Sequence, residues 1–150
     1  MAAADEYILA DTAVLSLLTK ASDACEAYQA LIGERRLAVS FQTEAELLSA
    51  NFSEKRQQRV NDLLAVTLKL PHSESTNVWY ARVAEVRKTL KRSSLPGSDA
   101  SDADMWIISS ALEYGFPLAS QDTQQVHLAR ATQLMTVTYL QGLRDDNPVL

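Results

Sequence analysis

Apolar residues recur along this chain in two rhythms: short aliphatic runs, and longer stretches spaced at helical intervals. Asp5 leads into the first run, Tyr7-Ile8-Leu9-Ala10, which stops abruptly at Asp11. Thr12 then opens a helical pattern to about Thr19, with Val14, Leu15, Leu17 and Leu18 inward. A second helix is predicted from a Ser22 cap to Ile32, with Gly33 fitting the position after its end. Leu37-Ala38-Val39-Ser40 reads as a second strand, and a third helix follows from about Gln42 to Ala50, with Phe41, Ala45 and Leu48 at helical spacing. Ser53 caps a fourth helix that buries Val60, Leu63 and Leu64 and leaves Lys55, Arg56 and Arg59 outside. Val66 to Leu70 reads as a third strand, stopped by Pro71. A long fifth helix starts at Ser73 or Ser75 and carries the stripe Trp79, Val83, Val86 and Leu90.

Composition shifts between Lys91 and Ala100 to Ser, Pro, Gly and Asp, which predicts a loop within one domain. Ser101 or Asp102 caps a sixth helix that runs to about Tyr114 and ends at Gly115. Phe116 to Ser120 and Leu134 to Tyr139 supply a fourth and a fifth strand. Strands that alternate with helices predict an α/β fold whose parallel sheet is covered on both faces. There is no internal repeat.

The length of 150 residues fits a single domain over 1–150 with a substantial core. No apolar run approaches the roughly 20 residues of a membrane span. The acidic start, Met1-Ala2-Ala3-Ala4-Asp5-Glu6, lacks the basic and apolar regions of a signal peptide. Cys25 is the only cysteine, which excludes an internal disulfide and a cysteine-based metal cluster. These features predict a cytoplasmic protein. The net charge of −5 argues against a broadly basic nucleic-acid binder. It leaves room for an enzyme that reaches phosphates through bound cations.

Four acidic residues from separate segments are predicted to meet at the carboxyl edge of the sheet, where open α/β sheets bind ligands. Asp11 ends the first strand. Glu46 lies about one turn into the helix after the second. Asp104 is in the first turn of helix six, and Asp122 falls just past the fourth strand. Each has a plainer reading as a helix-terminal or solvated acid. Together they repel unless something neutralises them, and hard divalent cations with oxygen ligands do so. Such ions activate water and stabilise a leaving oxygen in phosphodiester hydrolysis.

Four segments carry a family resemblance. Ile8-Leu9-Ala10-Asp11-Thr12-Ala13-Val14-Leu15 is similar to the opening "LDTsvl" motif of PIN-domain ribonucleases. Val39 to Leu47 resembles that family's "iS.iT..EL", Asp104 to Leu112 its "DlwIAAtAl", and Gly115 to Asp122 its "glpLvT.D". The order is the family's, the resemblance spans nearly the whole chain, and the most similar group is the toxins of VapC type. The resemblance implies a three-layer α/β/α PIN-like domain with a five-stranded parallel sheet of order 3-2-1-4-5. It implies a Mg²⁺- or Mn²⁺-dependent endoribonuclease, the toxin of a type II toxin–antitoxin pair. Asp11, Glu46, Asp104 and Asp122 take the family's catalytic and metal-binding positions, and Thr12 and Ser120 its supporting hydroxyl positions. An RNA substrate, a cognate antitoxin and a homodimer are implied with them. Two departures stand out: Ile108, Ser109 and Ser110 replace small alanines, and Thr123 to Leu128 matches the family's run after Asp122 only loosely. An RNA-processing PIN nuclease without an antitoxin and a catalytically silent PIN-fold binding module are the alternative readings.

Other chemistry is sparse. His72 and His127 lack metal-ligand spacing, and there is no G-x-S-x-G elbow or glycine-rich phosphate loop. Cys25, Trp79 and Trp106 read as packing residues. Arg87, Lys88, Lys91 and Arg92 read first as complements to the end of helix five, and second as a phosphate-steering patch. Helical phase separates three neighbouring aspartates. Asp104 shares the inward face of Ile108 and Ala111, Asp102 lies about 200° around the helix as a capping residue, and Asp99 belongs to the loop.

Overall fold

The computed structural model of the chain describes residues 6–140, 142 and 143, so the lead-in expected at Asp5 lies outside the described residues. Strand β1, Tyr7–Ala10, is central: Ile8, Leu9 and Ala10 are fully buried. It pairs in parallel with β2, Arg36–Ser40, on one side and β4, Leu118–Ala119, on the other. The edge strands are β3, Leu68–Leu70, and β5, Thr136–Val137, and the sheet order is 3-2-1-4-5. This is the parallel α/β order that the resemblance implied.

Alternation along the strands builds two separate cores. Ile8, Ala10, Val39 and Ala119 face one layer, with Val14, Tyr28, Leu47, Val60 and Leu64. These come from α1 (Thr12–Leu17), α2 (Asp23–Ile32), α3 (Phe41–Ser49) and α4 (Glu54–Ala65). Leu9, Ala38 and Leu118 face the other layer, with Val83, Met105, Ile108, Ala111 and Leu128. Those belong to α5 (Glu74–Arg92), α6 (Asp102–Tyr114) and α7 (Thr123–Ala131). Among the described residues no helix is long and apolar enough to cross a membrane.

Several local expectations are corrected. α3 buries Thr43 and Leu47, whereas Ala45 and Leu48 face solvent, so its inward face is rotated from the predicted one. The polar Thr43 hid that phase: its hydroxyl accepts a bond from Thr12 (3.1 Å), which permits its burial. Val66 is not in a strand but sits at the end of α4, strongly exposed. Arg56 is not on the outside of α4; its guanidinium turns inward, over the Phe52 ring. Ser73 and Ser101, not Ser75 and Asp102, cap α5 and α6, each through a reciprocal capping box. Trp79 is half-buried with Arg82 over its ring, and Trp106 stacks on Tyr80 between the edges of Phe41 and His72. Helix α7 has no counterpart among the predicted elements, because the buried Gln125 occupies a position that an apolar stripe would ordinarily fill.

The loop before α6 is tied to α7. The N–H groups of Gly97 and Asp99 both donate to Gln124 Oε1, at 3.0 and 3.2 Å. Gly97 has φ of +100°, and a Cβ there would stand 2.8 Å from the backbone nitrogen of Leu128. Gly97→Ala is therefore expected to lower stability by more than about 1 kcal/mol, since both the backbone angle and the close approach exclude a side chain. Urea unfolding checks this, and a midpoint equal to wild type would refute it.

Candidate functional site

The site forms where the sheet order reverses, between the carboxyl ends of β1 and β4. Asp11 leaves β1, and its N–H donates to the carbonyl of Ala119 at 2.9 Å. Its Oδ1 accepts from the Val14 N–H at 2.7 Å and so caps α1. Its Oδ2 accepts from the Ser120 hydroxyl (2.7 Å) and the Gln121 N–H (3.2 Å). The carboxylate is only 3% exposed.

Asp104 enters from the first turn of α6. Its Oδ2 accepts from the Ser101 N–H at 3.0 Å, the return bond of the capping box. Asp122 caps α7 through a 2.9 Å bond from the Gln125 N–H. Glu46 projects from α3, with Oε1 accepting from the Gln42 amide at 2.9 Å. Three of the four acids thus also serve as helix-terminal residues, where the helix dipole favours negative charge. The plain reading and the functional reading of each aspartate describe the same placement.

All four carboxylates line one cleft of about 510 Å³, together with Thr12, Ser16, Phe52, Ser101, Ile107 and Gln125. No Lys, Arg or His is among the described lining residues. The electrostatic consequence is direct. Burial, set against three hydrogen bonds and reinforced by the charge of Asp104, pushes the Asp11 carboxyl up to about 6 from 3.8. Asp104 is also raised, first by burial and further by the charges of Asp122 and Glu46.

Thr12 lines the cleft, and its hydroxyl donates to Thr43. Ser120 is fully buried behind Asp11, with its Oγ 2.7 Å from Gln125 Oε1 as well. Gln125 was not anticipated from sequence. It is fully buried, and its amide nitrogen lies 3.4 Å from Asp104 Oδ1, so it joins the Asp11–Ser120 pair to Asp104. Among the plainer groups, Cys25 is a buried free thiol and His72 is exposed beside Asn77. Arg87 bonds the Ala100 carbonyl and reaches Asp102 at 3.6 Å, while Lys88 pairs with Glu85.

The donor set fits a hard divalent cation in type: oxygen-only and anionic. Among the described residues no three His, Cys, Asp or Glu side chains stand close enough to hold an ion directly. Asp11, Asp104 and Asp122 each engage their own helix N-terminus.

Comparison with known proteins places this geometry. A chain of the VapBC2 structure from Rickettsia felis, bound to a fragment of promoter DNA, superposes with a TM-score of 0.65 at 16% identity, covering 88% of this chain and 98% of that one. A chain of VapBC-1 from nontypeable Haemophilus influenzae gives 0.63 at 24% identity, with 88% and 97% covered. A chain of VapBC-5 from Mycobacterium tuberculosis, a member of the VapBC family of toxin–antitoxin systems, gives 0.56 at 27% identity, with 82% and 90% covered. No curated protein sequence matches significantly. The PIN domain model matches residues 8–131, which include all four cleft carboxylates, and the chain belongs to the PIN domain family.

Proposed function

We propose that this protein is a divalent-metal-dependent endoribonuclease and the toxin of a type II toxin–antitoxin pair. The observation that carries the reading is a cleft lined, among the described residues, by four carboxylates and no basic side chain. Such a cleft repels a polyanion until a cation enters it. Asp11 and Asp104 would hold the first Mg²⁺ or Mn²⁺, with Glu46 and Asp122 completing the site or a second metal. A bound ion of this kind supplies an activated water and stabilises the leaving oxygen of a phosphodiester. The protein's part is to keep the carboxylates ionised and oriented. Ser120 and Gln121 hold Asp11 Oδ2, Ser101 holds Asp104, and Gln125 bridges the two acids. Thr12 stands at the cleft wall as the second supporting hydroxyl. The products are 5′-phosphate and 3′-hydroxyl ends.

Family membership and structural likeness to chains of VapBC complexes support an antitoxin as partner. We take residues 1–150 as one PIN unit acting in the cytoplasm, as a homodimer. Purified protein incubated with total RNA is expected to cleave it with Mg²⁺ or Mn²⁺ and to stop when chelator is in excess. Undiminished cleavage in chelator, with contaminating ribonuclease excluded by an inactive variant purified in parallel, sinks the metal mechanism.

A further inference from the structure

Beside the acid cleft stands one cation without an anionic partner. Arg56 reaches from α4 to α1, where its Nη2 donates to the Ser16 hydroxyl. Its guanidinium lies over the Phe52 ring, 4.4 Å from the centroid. Ser16 and Phe52 both line the acid cleft, so Arg56 stands directly behind two of its wall residues. Among the described residues it makes no ion pair, and its buried Nε has no hydrogen-bond partner. Ser16 Oγ accepts from Arg56 and has no acceptor for its own proton among the described residues. A buried guanidinium nitrogen left without a partner is costly, and the nearest acids of the cleft do not reach it.

We infer that Ser16 and Arg56 form a phosphate-binding point for the RNA backbone at the wall of the cleft. The inference rests on the nuclease reading and names how that site holds its substrate. The Ser16 hydroxyl, polarised by Arg56, donates to a phosphate oxygen from inside the cleft. Arg56, behind that wall and flat over the Phe52 ring, supplies the positive charge that the carboxylates lack. It fixes a nucleotide flanking the cleaved bond and takes no part in the chemistry, so Arg56 is a positioning residue.

The test is binding of a short fluorescein-labelled single-stranded RNA, read by anisotropy over a range of KCl in Ca²⁺ buffer without Mg²⁺ or Mn²⁺. Arg56→Gln is expected to weaken binding about tenfold and to flatten the plot of log affinity against log salt by about 0.7, one phosphate contact on a single strand. Ser16→Ala weakens binding severalfold and keeps the wild-type slope, because the charge stays. Lys55→Gln removes the same charge from the exposed neighbour and changes neither quantity. Wild-type affinity and slope in Arg56→Gln, or an equal loss in Lys55→Gln, overturns the inference while leaving the nuclease reading intact. Should Arg56→Gln not fold, Ser16→Ala decides, and wild-type affinity there overturns the inference. Wild-type protein that neither binds nor cleaves RNA removes the nuclease reading and this inference with it.

Discussion

Asp104→Asn is expected to reduce metal-dependent RNA cleavage by at least about a hundredfold, while Asp102→Asn, two residues earlier, leaves it nearly unchanged. Loss of a partner that merely orients a metal ligand already lowers activity about 10–100-fold, so loss of a ligating carboxylate is expected to exceed that. Asparagine keeps the acceptor that Asp104 offers to the Ser101 N–H, so the capping box and the helix survive. What disappears is the charge that faces Asp11, Asp122 and Glu46 across the cleft. Asp102 points elsewhere. Its side chain is 77% exposed, and its one ion pair among the described residues is a 3.6 Å contact with Arg87, the kind of pair that contributes little. Asp99→Asn is also expected to be silent, because that residue engages Gln124 through its backbone. Initial rates on one RNA substrate, with melting curves to show that each variant folds, separate the three. An inactive Asp102→Asn beside an active Asp104→Asn would place the chemistry on the wrong face of α6.

Asp11→Asn is expected to abolish cleavage and, in chelator, to make the protein more stable at neutral pH. The folded protein holds the Asp11 proton up to about pH 6, whereas an ordinary aspartate releases it near 3.8. The folded state therefore binds more protons across that interval, and stability falls as pH rises from 3.8 to 6. At neutral pH the ionised, buried carboxylate lowers stability by about 3 kcal/mol relative to its protonated form. Asparagine carries no such charge and caps α1 as well as aspartate does. It offers one acceptor fewer to Ser120 and Gln121, which offsets about 1 kcal/mol of the gain. A net rise of about 1–2 kcal/mol is expected at pH 7, and none below about pH 3, where wild-type Asp11 is protonated in both states. Denaturant melts at the two pH values measure this. A less stable variant that still cleaves RNA would make Asp11 a helix cap and nothing more.

The two layers of the fold could be read from the chain because strand and helix periods are cleanly separated in its apolar residues. Ile8-Leu9-Ala10 and Ala38-Val39 are continuous apolar runs, as strands buried on both faces require. Where polar residues are buried, the same reading failed. Thr43 set the face of α3 through a hydroxyl pair with Thr12, and no apolar pattern announces such a pair. Gln125 is fully buried because Ser120 and Asp104 satisfy its amide, and its polarity concealed helix α7. Arg56 read as a solvated helix residue, and its inward turn depends on Phe52 and Ser16 from two other segments.

The candidate site was legible for a different reason. An acid at the end of a strand or in the first turn of a helix has a fixed place once the parallel order of the strands is known. Asp11, Asp104 and Asp122 therefore converged as expected, and Glu46 with them. The helix-terminal reading and the shared cleft turn out to be compatible, since three of these carboxylates are engaged by helix N-termini. That engagement offsets part of the repulsion among four acids in one cleft, because a helix N-terminus favours negative charge.

Metal binding by the folded protein shows most directly whether these four carboxylates act together as one centre. Titration of the purified protein with Mn²⁺, followed by the loss of the free-ion paramagnetic resonance signal, tests it without reference to any RNA or to contaminating nucleases. Saturable binding that Mg²⁺ competes away is expected of the wild-type protein, and Asp11→Asn and Asp104→Asn are each expected to lose it while Asp102→Asn retains it. Equal Mn²⁺ binding by wild type and all three variants, or none by the folded wild-type protein, would contradict a shared centre.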